Sequence, residues 1–310
     1  MKAIVINQYG DTDQFVETQV PKPQLKDNQV LIELHATSIN RFDTKVRRGE
    51  MAKVISFDFP IILGLDAAGV IVEVGKDVTQ FKVGDEVFAN SSLKSGTYTE
   101  YVAVKESLVV AKPQNIDFKQ AAAVPMVGLT AWQAMAEFGQ VKEGDRVLIH
   151  AGSGGVGSFA IQIAKSFGAY VYSTASGKNE DMLKELGVDE FINYKTTDFA
   201  DVAKDLDLVL DTLGGETLVK SLDLVKDGGR LVSTVGQPDE EKAKERGITV
   251  ESLSAKSNGD HLDKLADLIE KGQVTPYVGH EFPLTAQGLR QAHDISESHH
   301  AKGKIVIKIK

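Results

Sequence analysis

The sequence predicts an α/β protein made of a strand-rich first part followed by a doubly wound parallel sheet. Three observations carry this reading. Residues 1 to about 118 hold short apolar runs punctuated by Gly and Pro, the texture of a small β-barrel. From about Phe118 onward, strand-like runs alternate with helix-like ones, which implies a parallel sheet with helices on its faces. Within that region a Gly-rich turn, Gly152–Gly157, joins an apolar run directly to a helical stripe.

Taken in order, Met1–Asn7 reads as a first strand. Val30–Ala36 places Val30, Ile32, Leu34 and Ala36 on one face and Glu33 and His35 on the other, the period of a half-buried strand. Gly69–Gly75 is a strand bounded by glycines, Val83–Phe88 a turn entering a strand, and Tyr98–Val104 one more strand. Gln120–Phe138 is Ala-rich, apolar and predicted helical, ending near Gly139. Strands are expected at 146–151, 169–174, 190–193, 206–211 and 229–235, with helices between them. The 237–247 stretch is a charged helix or a solvated connection. His261–Lys271 is an amphipathic helix, and Lys304–Ile309 closes the chain as a strand.

The turn carries the most chemistry. Gly152, Gly154 and Gly157 form G-x-G-x-x-G, with Ser153, Gly155 and Val156 between them. In this context the pattern implies dinucleotide binding. Gly152 makes the tight turn, Gly154 lets the backbone approach a pyrophosphate, and Gly157 lets the helix pack close on the strand. The helix N-terminus then offers N–H groups and a positive dipole end to the phosphates. Val156, Phe159, Ala160, Ile163, Ala164 and Phe167 continue as a helical apolar stripe. An NAD site would place Asp or Glu near the end of the second strand to accept from the ribose hydroxyls. Here that segment reads Thr174-Ala-Ser-Gly-Lys178, with no acid before Glu180. Ser176 stands 24 residues after Gly152, where the acid is expected. A hydroxyl and a lysine would bind a 2′-phosphate that a carboxylate would repel. The predicted cofactor is therefore NADP(H); the plain alternative leaves Ser176 and Lys178 as ordinary loop residues.

Composition narrows the partners. At 310 residues the chain is long enough for two domains. Its net charge of −9, from 35 basic and 44 acidic residues, argues against nucleic acid or an anionic membrane as the main partner. No apolar run is long enough to span a membrane, and the N-terminus is too short in apolar length for a signal peptide. Cysteine is absent, so there are no disulfides and no thiolate zinc sites, and a cytoplasmic location is expected.

Further motifs follow in a recognisable order. They are Asn40-x-x-Asp43-x-x-x-Arg47-x-Gly49, Pro60-x-x-x-Gly64-x-Asp66-x-x-Gly69-Val70 and Val83-Gly-Asp-Glu-Val87. After them come Gly128-Leu-Thr-Ala-Trp132, the Gly-rich turn, Ile192-Asn-Tyr194, Asp211-x-x-Gly-Gly215 and Gly303-Lys304. Across nearly the whole chain this resembles the medium-chain dehydrogenase/reductase superfamily, and within it the zinc-free quinone reductase (ζ-crystallin-like) branch. The resemblance implies a GroES-like β-barrel catalytic domain over residues 1–118 and 259–310, with a Rossmann NADP-binding domain inserted at 119–258. It also implies a homodimer joined through Rossmann-sheet edges, for which Gly247–Ser254 is the expected edge strand. Zinc alcohol dehydrogenases of the superfamily carry a catalytic Cys, a Gly-His-Glu motif and a four-Cys lobe. The corresponding motif here is Gly64-Leu65-Asp66, and leucine cannot ligate a metal, so no zinc is expected.

Without a metal, alcohol oxidation lacks a Lewis acid, whereas a quinone or an alkene conjugated to a carbonyl accepts hydride with less help. The expected substrate is therefore a small electrophile: an α,β-unsaturated aldehyde or ketone, or a quinone. A strict quinone reductase, or a cofactor-binding structural or sensor protein, are the alternatives. Lys45 stands where typical bacterial quinone reductases of this branch have Tyr, and the Asp43-x-Lys45-x-Arg47 pattern is similar to that of alkenal/enone reductases. Lys45 is thus a candidate donor to the acceptor oxygen, or else a solvated lysine on a short helix. Asn40 resembles the family residue near the nicotinamide ribose or substrate, or is a turn cap. Asp43 and Arg47, spaced i, i+4, are expected to form a structural ion pair, and Asp66 to play a structural part. By resemblance Thr130 lies near the nicotinamide phosphate and Tyr194 by the adenosine ribose phosphate; a plain helix interior and a surface tyrosine are the alternatives. Leu213 and Gly236 follow the fourth and fifth strands of the parallel sheet, at the carboxyl edge where ligands bind. Trp132 is expected in the core.

Overall fold

The alternating run at residues 30–36 becomes part of the longest strand, Gln29–Ser38, of a mostly antiparallel sheet, and the elements around it follow the Gly and Pro punctuation of the sequence. The computed structural model describes residues 1–92 and 94–310. In chain order the first elements are β1 (Lys2–Ile6), β2 (Phe15–Gln19), β3 (Gln29–Ser38), α1 (Arg41–Arg47), β4 (Ile61–Ile62), β5 (Asp66–Val74), β6 (Glu86–Asn90), β7 (Tyr101–Lys105) and β8 (Val109–Ala111). Helices α2 (Phe118–Ala122) and α3 (Pro125–Trp132) lead into β9 (Arg146–Ile149), α4 (Gly155–Ser166), β10 (Tyr170–Ala175), α5 (Glu180–Glu185), β11 (Glu190–Asn193), α6 (Phe199–Val202) and β12 (Leu206–Asp211). Then come α7 (Gly215–Leu224), β13 (Val225–Ser233), α8 (Glu240–Glu245), β14 (Thr249–Ser252), α9 (Gly259–Glu270), β15 (Val278–Pro283), α10 (Ala286–Glu297) and β16 (Lys304–Lys308).

The chain divides into two units. One comprises Met1–Met126, Ser257–Glu270 and Pro276–Lys310; the other comprises Val127–Lys256 and Lys271–Thr275. In the first unit the main sheet runs β15-β16-β3-β5-β6-β8, with β7 also pairing β3, and a smaller sheet runs β2-β1-β4. Strand β3 is the hub. Val30–Ala36 pairs antiparallel with β5, Gln29–Glu33 with β7, and Ala36–Ser38 with β16. Its inward residues Val30, Ile32 and Leu34 are fully buried with Ile71, Val87 and Val102. The strand from the far end of the chain thus completes the sheet begun by the N-terminal strands.

The second unit is a six-stranded parallel sheet in the order β11-β10-β9-β12-β13-β14. Counting from β9, this is 3-2-1-4-5-6, the strand order of a dinucleotide-binding Rossmann sheet. The order reverses between β9 and β12, and a crevice opens at the carboxyl ends of the strands at such a switch point. Strand β14, the predicted edge strand, does lie at the sheet's edge.

The helical region expected over Gln120–Phe138 is present, in three pieces. It breaks after Ala122, because Val124 precedes Pro125 and the proline ring disfavours helical backbone before it. Pro125 then opens α3 at the position where its missing N–H costs nothing. The last stretch, Gln133–Phe138, is π-helical. Trp132 is half-buried, edge-on to Phe167 with ring centroids 5.9 Å apart.

Candidate active site

Strand β9 delivers the chain to the Gly-rich turn. The left-handed residue there is Ala151, with φ of 51°, so the sharp bend falls one residue before the glycine expected to make it. Gly152 is required for a different reason: a Cβ on it would lie 2.0 Å from Ser173 Oγ and 2.9 Å from Ile161 Cδ1. Gly157 sits against the turn's own backbone, where a Cβ would come 2.5 Å from the Ala151 carbonyl and 2.7 Å from Gly152 Cα. Gly154, the N-cap of α4, is the most open of the three, with the Ala151 carbonyl at 3.3 Å as the one near neighbour of an added Cβ among the described residues. The turn is therefore packed tightly on its protein side and open at Gly154. That is the shape a pyrophosphate needs when bound by the amides of Gly155, Val156 and Gly157.

Strand β10 meets the turn at Thr174, whose carbonyl accepts from Gly152 N at 3.0 Å and whose Oγ1 accepts from Ala151 N at 3.2 Å. His150 fills the space beneath. Its Nδ1 lies 3.1 Å from Thr174 Oγ1 and its Nε2 2.9 Å from Ser221 Oγ. Burial pushes this imidazole down to about 4. Ser176 is buried just beyond β10, while Lys178 is exposed in the following tight turn. Tyr194, 52% exposed, donates its backbone N–H to Ala175 O at 3.2 Å, so the end of β11 lies beside Ser176.

At the ends of β12 and β13 a second device appears, built on Asp211 of the Asp211-x-x-Gly-Gly215 motif. Asp211 is fully buried, and its carboxylate accepts from Leu213 N (3.1 Å), Gly214 N (3.0 Å) and Ser233 Oγ (2.7 Å). Ser233 Oγ in turn accepts from Gly236 N at 3.0 Å. Leu213, 53% exposed, and Gly236 are thereby held in one constellation. Thr130 lies buried in the interior of α3.

In the first unit, α1 follows β3 and presents two faces. Lys45 is exposed. On the buried face, Asn40 joins a network centred on Asp66, which is fully buried. Asp66 Oδ2 accepts from Ser38 Oγ (2.5 Å) and Asn40 Nδ2 (2.7 Å), and Oδ1 accepts from Met126 N (2.8 Å). The Lys304 ammonium lies 3.5 Å from Asp66 Oδ2 and donates to Asn40 Oδ1 (2.6 Å) and the Ile39 carbonyl (2.8 Å). Both ends of the Asn40 amide are thus engaged within the protein. Desolvation lowers the pKa of Lys304, opposed by the Asp66 and Asp43 charges.

The expected Asp43–Arg47 ion pair is not made. Asp43 sits at the third helical position and turns back, its Oδ2 accepting from Asn40 N at 2.8 Å and from Tyr98 Oη at 3.1 Å. Arg47 reaches instead to Glu297 on α10, Nη2 to Oε1 at 2.5 Å. Burial raises the Asp43 carboxyl to about 7, with the Asp66 charge adding to it. Among the described residues, no group of three or more His, Cys, Asp or Glu side chains is placed to hold a metal ion.

With this geometry in view, the similarities to known proteins are specific. Residues 26–114 match the alcohol dehydrogenase GroES-like domain, and residues 186–307 match a zinc-binding dehydrogenase domain. The NADPH-dependent alkenal/one oxidoreductase of Arabidopsis thaliana chloroplasts is 36% identical over 99% of this chain and 79% of its own length. The quinone oxidoreductase structure from Coxiella burnetii superposes with a TM-score of 0.92 at 36% identity, covering 100% of this chain and 99% of that one. Escherichia coli quinone oxidoreductase, solved with NADPH, gives a TM-score of 0.88 at 26% identity over 99% of this chain and 100% of that one. The chain belongs to the medium-chain dehydrogenase/reductase superfamily, and its class is that of the oxidoreductases.

Proposed function

We propose that this protein is an NADPH-dependent, metal-independent reductase that delivers hydride to an activated acceptor, either an α,β-unsaturated aldehyde or ketone or a quinone. The observation that carries the cofactor choice is the end of β10. Ser176 stands where an NAD site would hold a carboxylate, Lys178 follows in an exposed turn, and no acid precedes Glu180. Kinship with an alkenal/one oxidoreductase and with quinone oxidoreductases supports the acceptor class.

The residues fit the cofactor. The opening at Gly154 and the amides at the N-terminus of α4 receive the pyrophosphate. Ser176 and Lys178 take the 2′-phosphate with charge-assisted hydrogen bonds, and the exposed ring of Tyr194 flanks them. The backbone at Leu213 and Gly236 lines the nicotinamide end, its course fixed by the N–H groups that Asp211 and Ser233 accept, and Thr130 borders its phosphate. When bound, the reduced nicotinamide supplies the hydride.

In the first unit, Lys45 donates to the acceptor oxygen on which negative charge collects. Its exposure leaves the ammonium available. Asn40 acts as a positioning residue, since its amide is committed to Asp66 and Lys304 and fixes the start of the helix that carries Lys45. Zinc independence rests on the absence of cysteine and on Leu65 between Gly64 and Asp66. The edge position of β14 supports a homodimer joined through the parallel sheets. The negative net charge supports a small-molecule partner over nucleic acid or an anionic membrane, and the cysteine-free sequence supports a reducing compartment such as the cytoplasm. Consumption of NADPH against a panel of alkenals, alkenones and quinones tests this reading.

A further inference from the structure

We infer that Asn179, which no motif singles out, sets the hydrogen-bond polarity of the phosphate-facing hydroxyls and so helps choose NADPH over NADH; this rests on the NADPH reading above. Asn179 closes the short turn after β10 and is buried, with its backbone N–H donated to Ser176 O at 2.9 Å. Its Nδ2 donates to Ser153 Oγ at 2.9 Å and, at longer range, to Ser176 Oγ at 3.4 Å. Ser153 stands between the first two glycines of the turn, and Ser176 at the end of the second strand. One carboxamide therefore ties the pyrophosphate-binding turn to the segment that discriminates the ribose substituent.

The chemistry follows from what a hydroxyl can do. It has one hydrogen to donate and lone pairs that accept. Filling a lone pair of each hydroxyl from the Asn179 side turns each hydroxyl's own hydrogen away from the amide. A phosphate oxygen only accepts, so a serine facing it must donate. Asn179 prepares Ser153 and Ser176 as donors before the nucleotide arrives, which removes part of the ordering cost of binding. The effect at Ser153 serves either nucleotide. The effect at Ser176 serves only the one with a 2′-phosphate. Asn179 thus acts as a positioning residue with a specificity consequence.

Calorimetric titration of the purified protein with NADP⁺ and NAD⁺ tests this without turnover, using Asn179→Ala, Asn179→Asp and, as a reference, Lys178→Ala. Asn179→Ala should weaken NADP⁺ binding about tenfold and NAD⁺ binding at most about threefold. Asn179→Asp keeps the side-chain shape but accepts the hydroxyl hydrogens and adds a negative charge, so it should lower the NADP⁺ preference further. Lys178→Ala should lower the same preference. If Lys178→Ala lowers the preference while both Asn179 variants leave it unchanged, whatever their thermal midpoints, this role of Asn179 is overturned and the NADPH reading stands. If neither position alters the preference, this role of Asn179 and the assignment of the 2′-phosphate to Ser176 and Lys178 are both overturned.

Discussion

The Lys304 ammonium lies 3.5 Å from the Asp66 carboxylate with both side chains buried, joining the last strand of the chain to the strand that begins at Asp66. Two ions taken out of water are tolerated here because hydrogen bonds complete each of them: Ser38, Asn40 and Met126 on the carboxylate, Asn40 and Ile39 on the ammonium. Removing one partner strands the other. Lys304→Met should therefore lower unfolding stability by roughly 3–5 kcal/mol, measured by urea denaturation. Asp66→Asn combined with Lys304→Met should recover part of that loss. Additive losses in the double variant would show that the two groups do not act as a pair.

Two glycines of the same turn should fail in different ways. Gly152→Ala would drive a methyl group onto Ser173 Oγ and should destabilise the protein by about 1–3 kcal/mol. Gly154→Ala meets one mild contact among the described residues, the Ala151 carbonyl at 3.3 Å. It should keep its thermal midpoint and lose NADP⁺ affinity about tenfold or more, because its methyl group would occupy the place proposed for the phosphate. Thermal melts and cofactor titration separate the two. Loss of fold in Gly154→Ala would remove the distinction.

His150 makes part of the stability depend on pH. Its folded value of about 4 lies below the ordinary 6.5, because burial disfavours the charged ring. The unfolded chain therefore binds the proton more readily. The contribution is fully present above about pH 6.5 and is lost as pH falls toward 4, about 3 kcal/mol in all. Asp43 works in the opposite sense: its carboxyl, raised to about 7 chiefly by burial, costs stability as pH rises from about 4 to 7. The wild-type profile sums the two effects, so the comparison with His150→Asn is the informative one. The stability difference between wild type and His150→Asn should shrink by about 3 kcal/mol from pH 7 to pH 4. A constant difference would show that His150 does not titrate as its surroundings dictate.

Lys45 tests the chemistry apart from the fold. It is exposed, so Lys45→Ala should change stability by no more than about 0.5 kcal/mol. If it donates to the acceptor oxygen, kcat with enones should fall about a hundredfold while NADP⁺ affinity is kept. Unchanged turnover would return Lys45 to the solvent-facing surface.

What was legible in the sequence follows a physical line. Strands β11 and β12 fall at the predicted residues, because the regular alternation of strands and helices leaves these segments between helices as the next strands of a parallel sheet. The Gly-rich turn was legible because glycine is irreplaceable at Gly152 and Gly157, where backbone and side chains leave no room for a Cβ. The partners of the buried polar groups were not legible. Arg47 pairs with Glu297 and Tyr98 with His293 across most of the chain, so local spacing pointed to Asp43 for Arg47 and to nothing for Tyr98. The helix break at Pro125 was readable from the proline, whereas the compensating turn at Ala151 was not, since alanine gives no sign of a left-handed backbone. Asn179, Asp211 and Ser233 carry ordinary residue types whose role appears only once strand ends are brought side by side.

Metal-independent use of NADPH on activated acceptors is directly measurable. The most direct measurement follows NADPH oxidation by the chelator-treated protein against alkenals, alkenones, quinones and simple saturated aldehydes, with NADH in parallel. Turnover of the conjugated acceptors or quinones with NADPH is expected, unaffected by chelation, with much weaker turnover with NADH and none with the saturated aldehydes. Tight NADPH binding with no oxidation by any conjugated acceptor or quinone would contradict this expectation.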